Sequence, residues 1–132
     1  MIFVDASAAV AIIAQEPDAA ELAAKLQGAP EAWTSALAHY ESVTGLARAL
    51  KLTVGEASLL VGELGERFAF DWLAIDSGIA QAAVEAFARY GKGRHRANLN
   101  MGDCFAYACA RTLDAALLCK GDDFLHTDIR LA

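Results

Sequence analysis

The sequence has few of the residues that build disulfide-bonded or zinc-stabilised folds. It contains three cysteines, an odd number with no CxxC spacing, at Cys104, Cys109 and Cys119. Cysteines placed among apolar neighbours in this way are typical of buried thiols in a reducing compartment, so we expect no disulfide framework and no zinc site. The three histidines, at positions 39, 95 and 126, show neither HxxxH nor HxH spacing. The sequence therefore does not predict a histidine-built metal centre either.

Long apolar segments and an excess of basic charge are also missing. The longest apolar run, Ala6 to Ala14 with only Ser7 interrupting it, is far shorter than the ~20 residues that cross a bilayer. The first residues lack a basic segment and include Asp5, so we expect no secretion signal and no membrane contact, and a cytoplasmic protein. With 17 acidic and 11 basic residues, the formal net charge is −6. This balance argues against a general electrostatic attraction to nucleic acid, but it allows a local basic patch beside an acidic pocket.

The order of apolar segments predicts the fold class. Hydrophobic residues make up 56% of the 132 positions, enough for one folded domain over residues 1–132. Short apolar runs predict buried strands at Ile2–Val4, Ala32–Ala36, Phe70–Ile75 and Ala116–Cys119. Helical patterns separate these runs. We therefore expect an α/β sandwich with a mainly parallel central sheet of four to five strands flanked by helices.

Two helices in the middle of the chain are predicted to form a hairpin. One runs from about Ala38 to Leu50, and Thr53 and Glu56 have the spacing of a capping box that opens the next. The link between them is very short, so we expect an antiparallel pair whose remaining apolar surface is a candidate dimer face. Tyr40 and Val54 belong to apolar stripes of these helices, and Phe87 is predicted to face inward from a later helix.

Acidic residues recur where predicted strands end or the following helices begin. They are Asp5, Glu41, Asp103, Asp122 and Asp123. Each has an ordinary explanation: Asp5 as a helix cap, Glu41 as a solvated glutamate, Asp103 as an acid at the positive end of a helix dipole. In a parallel sheet, however, these positions share one edge, where the carboxylates would repel each other unless a cation lay among them. Oxygen ligands without sulfur or imidazole select Mg²⁺ or Mn²⁺.

A glycine-rich basic loop precedes Asp103. Its cations are Lys92, Arg94 and Arg96, and its histidine is His95. The cations can hold a phosphate backbone, whereas His95 either binds phosphate or is an exposed loop residue. A divalent ion held by carboxylates supports phosphate ester chemistry, because it lowers the pKa of a bound water and screens the leaving oxygen.

Several segments together resemble one known family. They are Val4-Asp5-Ala6-Ser7-Ala8, Glu41-Ser42, Gly93-Arg94-His95, the run Leu99-Asn100-Met101-Gly102-Asp103-Cys104-Phe105-Ala106-Tyr107, and Lys120-Gly121-Asp122-Asp123-Phe124 followed by Thr127-Asp128-Ile129. In this order, over essentially the whole chain, they resemble the PIN domain. More narrowly, they resemble the VapC toxins of bacterial type II toxin–antitoxin modules.

The resemblance implies a toxin that is a Mg²⁺-dependent endoribonuclease, with Mn²⁺ as an alternative ion. Asp5 and Asp103 are then the main metal ligands and catalytic residues, and Glu41 and one acid of the Asp122-Asp123 pair complete the site. We favour Asp122 as the first acid after the strand, with Asp123 as its competitor. Lys92, Arg94, His95 and Arg96 are the expected RNA-binding residues, and Ser7 is the small polar residue that supports the first aspartate.

The resemblance also implies partners. They are RNA as substrate, a cognate VapB-type antitoxin whose C-terminal segment covers the site, and a second copy in a homodimer. Two other interpretations remain. A PIN-like binding module without activity would need a degraded acid set, and none of the acids is missing. A phosphotransfer enzyme that forms an aspartyl phosphate would need a second aspartate where Ser7 stands. A receiver domain would need an acidic pair before the first helix, and only Lys120 at a strand end favours it. The RNA target, the number of metal ions and the stoichiometry of the complex stay open.

Overall fold

A four-stranded parallel sheet forms the centre of the molecule. The structure, a computed structural model that describes residues 1–132, has strands β1 (Ile2–Val4), β2 (Ala32–Ser35), β3 (Asp71–Leu73) and β4 (Ala116–Leu118). Their order across the sheet is β3-β2-β1-β4, and every pair is parallel. A single bridge from Leu117 to Leu131 adds the end of the chain to β4. The predicted α/β fold class is confirmed, with the smaller of the two predicted strand counts.

Six helices cover the two faces of the sheet. They are α1 (Ala6–Ile13), α2 (Ala19–Gly28), α3 (Ala36–Leu50), α4 (Val54–Arg67), α5 (Ser77–Tyr90) and α6 (Met101–Leu113), and a 3₁₀ turn follows at Asp123–His126. Side chains alternate across a strand, so Phe3 and Leu117 pack with α5 and α6 whereas Val4 and Leu118 pack with α1 and α2. No helix is both long and apolar enough to cross a membrane.

Helix starts follow the local sequence signals. Thr53 and Glu56 form the predicted capping box of α4, and the Asp76 carboxylate accepts a hydrogen bond from the Ile79 N–H at the start of α5. Helix α2 continues through Gly28, which is exposed and meets no neighbour.

Three residues of predicted apolar stripes lie at the surface. Phe87, expected to face inward, is 41% exposed, because the buried face of α5 contains Ala86 in its place, together with Ile79, Ala83 and Tyr90. Val54 and Tyr40 are 65% and 64% exposed. Helices α3 and α4 pack through a narrower set than the stripes indicated, namely Val43, Leu46, Ala57 and Val61.

Replacement of a fully buried strand residue tests this core. Leu117 has no exposed surface, so Leu117→Ala should lower the free energy of unfolding by about 2–5 kcal/mol through lost burial and a cavity. Leu125→Ala is the matched control, because Leu125 is 61% exposed in the 3₁₀ turn, and its effect should be below about 0.5 kcal/mol. Urea unfolding followed by circular dichroism measures both. Equal effects of the two changes would contradict the packing described.

Candidate active site

Three of the predicted acids share one cleft at the carboxyl edge of the sheet. Asp5 directly follows β1, Glu41 lies in the second turn of α3, and Asp103 lies in the first turn of α6. All three line a cleft of about 390 Å³. The other polar residues lining it are Ser7, Glu16, Asn100 and Lys120. Parallel topology therefore brings together carboxylates that are up to 98 positions apart in the chain, from Asp5 to Asp103.

Asp5 is held by the start of α1. It is only 6% exposed, and its Oδ2 accepts hydrogen bonds from the backbone N–H of Ser7 at 3.0 Å and from Ser7 Oγ at 2.5 Å. Ser7 Oγ in turn accepts a hydrogen bond from the backbone N–H of Lys120 at 3.0 Å. The predicted supporting residue Ser7 thus joins Asp5 to the segment that follows β4.

Glu41 approaches the backbone of α6 at a glycine. A Cβ atom built on Gly102 would lie 2.1 Å from Glu41 Oε2 and 2.5 Å from Oε1, far inside contact distance. Any side chain at position 102 would displace the carboxylate, so the glycine is what allows α3 and α6 to bring Glu41 close to Asp103. The glycine of the Asn-Met-Gly-Asp run is explained by this close approach.

Asp103 combines two roles that the sequence left open. Its Oδ2 accepts a hydrogen bond from the Asn100 N–H at 3.0 Å, and its own N–H donates to Asn100 Oδ1 at 2.9 Å. This reciprocal pair is a capping box that fixes the first turn of α6. The same carboxylate lines the cleft, so the helix cap also orients a charged group of the site.

The three carboxylates resist ionisation together. Burial, followed by the charges of Asp5 and Asp103, raises the pKa of Glu41 to about 7. Burial also raises the pKa of Asp103 to about 6, with the charges of Asp5 and Asp123 adding to the effect and the hydrogen bond from Asn100 opposing it. For Asp5, burial raises the pKa and the hydrogen bonds from Ser7 oppose the rise. None of the three forms a salt bridge.

The two acids after β4 differ in the effect of their charges on the pKa of neighbouring groups. Asp122 and Asp123 are both exposed, and neither lines the cleft. The charge of Asp123 nevertheless contributes to the raised pKa of Asp103 and of Cys119, whereas Asp122 has no such effect. Gly121, in the left-handed region at φ +93°, turns the chain so that Asp123 begins the 3₁₀ turn. This effect of its charge supports Asp123 as the competitor of Asp122, the acid that the sequence favours.

The basic loop lies beside the cleft without lining it. A bridge between Gly91 and Leu99 closes the loop, and Lys92, Arg94 and Arg96 are exposed on it. The Arg94 guanidinium lies 5.2 Å from the centre of the Phe87 ring. None of these side chains reaches the carboxylates, but Arg96 is only four residues before Asn100, which does line the cleft.

His95 has a structural role in this loop. Its Nδ1 accepts a hydrogen bond from the Ala97 N–H at 3.0 Å, and its ring packs edge-on against Tyr90 at 5.1 Å. One ring nitrogen is thus already used to shape the loop. The structure does not bring His95 into the cleft with the acids.

Two charged residues of the cleft were not among the predicted site residues. Lys120 lies two residues after the end of β4, so its position at the carboxyl edge was the available signal. Glu16 offered none, because it reaches the cleft only through the turn after α1, where Gln15 adopts the left-handed conformation at φ 55°.

The donor atoms of the cleft fit a hard divalent cation. Asp5, Glu41 and Asp103 supply carboxylate oxygens only, which are the ligands of Mg²⁺ and Mn²⁺. No three Asp, Glu, His or Cys side chains are drawn together into a ready-made coordination shell. Mutual repulsion of the carboxylates opposes such a shell until positive charge is present, so the fit rests on the donor chemistry and on their shared cleft.

Comparisons with known proteins identify the family of this chain. The family model of the PIN domain matches residues 2–130. Ribonuclease VapC30 of Mycobacterium tuberculosis is 41% identical over 127 residues, covering 96% of this chain and 94% of the relative. A VapC ribonuclease of Rhizobium meliloti is 38% identical over 141 residues, covering 98% of this chain and 99% of the relative.

A solved structure shares the fold. The crystal structure of Mycobacterium tuberculosis VapC20, described as a sarcin-ricin loop cleaving toxin, superposes with a TM-score of 0.77 and covers 100% of this chain and 98% of its own. Its sequence identity of 17% makes it evidence for the fold alone. The family match over residues 2–130 and the relatives at 38–41% identity show that this chain belongs to the PIN domain family, among the VapC ribonucleases.

Proposed function

We propose that this chain is the toxin of a type II toxin–antitoxin module and acts as a metal-dependent endoribonuclease on RNA phosphodiester bonds. The observation that carries the proposal is the cleft in which Asp5, Glu41 and Asp103 gather without a salt bridge to any of them. RNA as the substrate class is supported by the relatives, which are named ribonucleases. The intact acid set argues against the alternative of an inactive PIN-like binding module.

The cation of this mechanism is Mg²⁺, or Mn²⁺ in its place. Asp5 and Asp103 would be its main ligands, and Glu41 would complete the set with Asp123 in preference to Asp122. When bound, the ion supplies an activated water and screens the charge of the phosphate. The chain itself orients the ligands: Ser7 fixes Asp5, Asn100 fixes Asp103, and Gly102 leaves room for Glu41.

The basic loop is proposed to contact the RNA backbone beside the cleft. Lys92, Arg94 and Arg96 are exposed and therefore free to meet phosphates. His95 contributes by shaping the loop, because its Nδ1 is bonded to Ala97, and its second nitrogen remains for phosphate. The charges that position RNA are thus separate from the charges that hold the metal.

The partners follow from the same family membership. We propose a cognate VapB-type antitoxin that covers the cleft, and a cytoplasmic setting where RNA and antitoxin are both present. We also propose a homodimer. Exposed apolar residues on the α3–α4 hairpin, among them Val54 and Leu59, supply surface for that contact.

Removing one ligand charge should abolish cleavage. Asp103→Asn and Asp5→Asn should each lower the rate of RNA cleavage in Mg²⁺ or Mn²⁺ by more than ~100-fold, because even partners outside the ligand shell cost up to that much. Expression of the wild type should arrest bacterial growth, and either change should relieve the arrest. Asp71→Asn is the control, since Asp71 is an exposed acid on β3 away from the cleft. An Asp103→Asn protein that still cleaved RNA in EDTA would disprove the mechanism.

The repulsion in the cleft predicts how stability depends on pH. The pKa of Glu41 is raised from 4.5 to about 7, so folding favours its protonated form. The stabilisation that the folded protein gains from protonated Glu41 is fully present below pH 4.5 and is lost as the pH rises through about 7. In EDTA at pH 7.5, Glu41→Gln should therefore be more stable than wild type by about 1–2 kcal/mol, after discounting the full shift for partial exposure.

Two comparisons check the origin of that difference. The advantage of Glu41→Gln should vanish near pH 4.5, where wild-type Glu41 is protonated. Saturating Mg²⁺ or Mn²⁺ at pH 7.5 should stabilise the wild type more than the variant, because the ion binds the folded state. Urea unfolding measures both. A wild-type advantage in EDTA at pH 7.5 would contradict the proposed repulsion.

The choice between the two acids after β4 is tested directly. Asp123→Asn should reduce Mg²⁺-dependent cleavage by about 10-fold or more, because its charge acts on Asp103. Asp122→Asn serves as the control with the same loss of charge and should change cleavage by less than about threefold. Cleavage rates over a Mg²⁺ titration provide the measurement. A larger loss with Asp122→Asn would instead support the assignment made from the sequence.

A further inference from the structure

Lys120 is the only cationic residue among those that line the acidic cleft. Its backbone is fixed there, because its N–H donates to Ser7 Oγ at 3.0 Å and Ser7 binds Asp5. The strand β4 ends two residues earlier, at Leu118. The side chain of Lys120 therefore starts from an anchored position at the same sheet edge as the metal-binding acids.

The ammonium group of Lys120 is held by two acids of the turn between α1 and α2. Its Nζ is hydrogen-bonded to Glu16 and lies 3.7 Å from Asp18 Oδ1. We call Glu16 and Asp18 the acidic pair. Asp18 Oδ1 is buried yet has no hydrogen-bond partner, since 3.7 Å is too long for one. The acidic pair thus holds the lysine through one hydrogen bond, to Glu16, and one longer ion pair, to Asp18.

The ion pairs between Lys120 and the acidic pair are weak enough for a phosphate to replace them. Lys120 is 39% exposed, and Glu16 and Asp18 are 31% and 36% exposed, so water screens the ion pairs. Ion pairs of this exposure contribute little to stability. A phosphate offers several strong acceptors to a lysine, and the flexible lysine stem allows the ammonium group to turn from one anion to another.

The charge of the cleft creates a need for such a cation. Asp5, Glu41, Asp103 and Glu16 all line it, so an approaching phosphodiester meets negative charge on several sides. The exposed cations Lys92, Arg94 and Arg96 lie on the loop outside the cleft and do not line it. Among the lining residues, only Lys120 can bring a positive charge to a phosphate at the carboxylates.

We infer that Lys120 binds the RNA phosphate in the acidic cleft, and that Glu16 and Asp18 hold its ammonium group when RNA is absent. The inference rests on the proposed ribonuclease function and adds to it a phosphate-binding residue and a competing acidic pair. The acidic pair lowers the affinity for RNA, because its contacts to Lys120 must break when a phosphate binds. It also keeps the cation close to the carboxylates between binding events.

The test measures binding of a labelled single-stranded RNA oligonucleotide of mixed sequence. All binding variants carry Asp103→Asn, so that cleavage does not remove the probe, and Mg²⁺ is present. Lys120→Met should weaken binding by about 5–10-fold, and it should reduce the slope of log affinity against log salt by about 0.7, the value for one lost phosphate contact with single-stranded nucleic acid. Lys120→Arg should retain the wild-type slope, because it keeps the charge.

Lys25→Met is the matched control. Lys25 is also 39% exposed and also forms a salt bridge, with Glu21 at 3.1 Å, but it does not line the cleft. This change should leave the affinity and the salt slope unaltered. Urea unfolding of every variant reports any structural role, and a loss of stability in Lys120→Met with an unchanged salt slope would overturn the inference.

The acidic pair is tested by a double-mutant cycle. Glu16→Gln with Asp18→Asn should tighten RNA binding by about two- to fivefold when Lys120 is present, because the ammonium group is released. In the Lys120→Met background the same two changes should tighten binding by a smaller factor, because there they only remove negative charge from the cleft. A gain of equal size in both backgrounds would reflect a general loss of negative charge and would overturn the proposed competition.

Cleavage by proteins without Asp103→Asn separates the two proposals. If the wild type cleaves RNA in Mg²⁺ or Mn²⁺ and Lys120→Met binds and cleaves as well as Lys25→Met, the function stands and the role of Lys120 is disproved. If the wild type cleaves no RNA under any of these conditions, the proposed function fails and the inference fails with it.

Discussion

Burial of carboxylates at one edge of the sheet, with repulsion between them, is the constraint on which the rest of this structure depends. Burial raises the pKa of Asp5, Glu41 and Asp103 in the same cleft, and neighbouring charges add to the rise for Glu41 and Asp103, so folding disfavours the ionised forms. Packing in the core offsets the unfavourable free energy of ionising these carboxylates. Strand β1 is fully buried between the two helical layers, and strands on both sides fix its register. A rigid sheet therefore holds charges in positions that the charges themselves disfavour.

The acids are positioned largely by ordinary helix caps. Asp5 caps α1, and Asp103 forms a capping box with Asn100 at the start of α6. These local bonds satisfy helix N–H groups and at the same time fix the direction of each carboxylate. Only Glu41 lacks such a bond, and Gly102 gives it space instead. A long-range hydrogen bond from the Lys120 N–H to Ser7 Oγ joins the segments that follow β4 and β1.

The sequence could predict the features that local patterns determine, but not the side-chain positions that depend on turns and packing. Buried strands gave continuous apolar runs, and parallel order then required acids at strand ends to share an edge. The orientation of Phe87 was not predictable, because Ala86 and Phe87 are adjacent in the chain and packing buries Ala86 with Ile79 and Tyr90. The effect of the Asp123 charge on Asp103 depends on the turn at Gly121. The position of Glu16 in the lining of the cleft depends on the left-handed conformation of Gln15. Such turns place side chains through backbone geometry that periodicity does not encode.

The negative net charge and the handling of RNA are compatible because charge is distributed locally. Three carboxylates in a cleft repel a phosphodiester, and a divalent cation would cancel two of their three charges. The ammonium group of Lys120, released from Glu16 and Asp18, would cancel the third. The exposed loop cations then need only to position the backbone outside the cleft, where their attraction is screened by salt. An acidic protein can therefore bind RNA at one place, provided that the metal and the lysine neutralise the site as the phosphate enters.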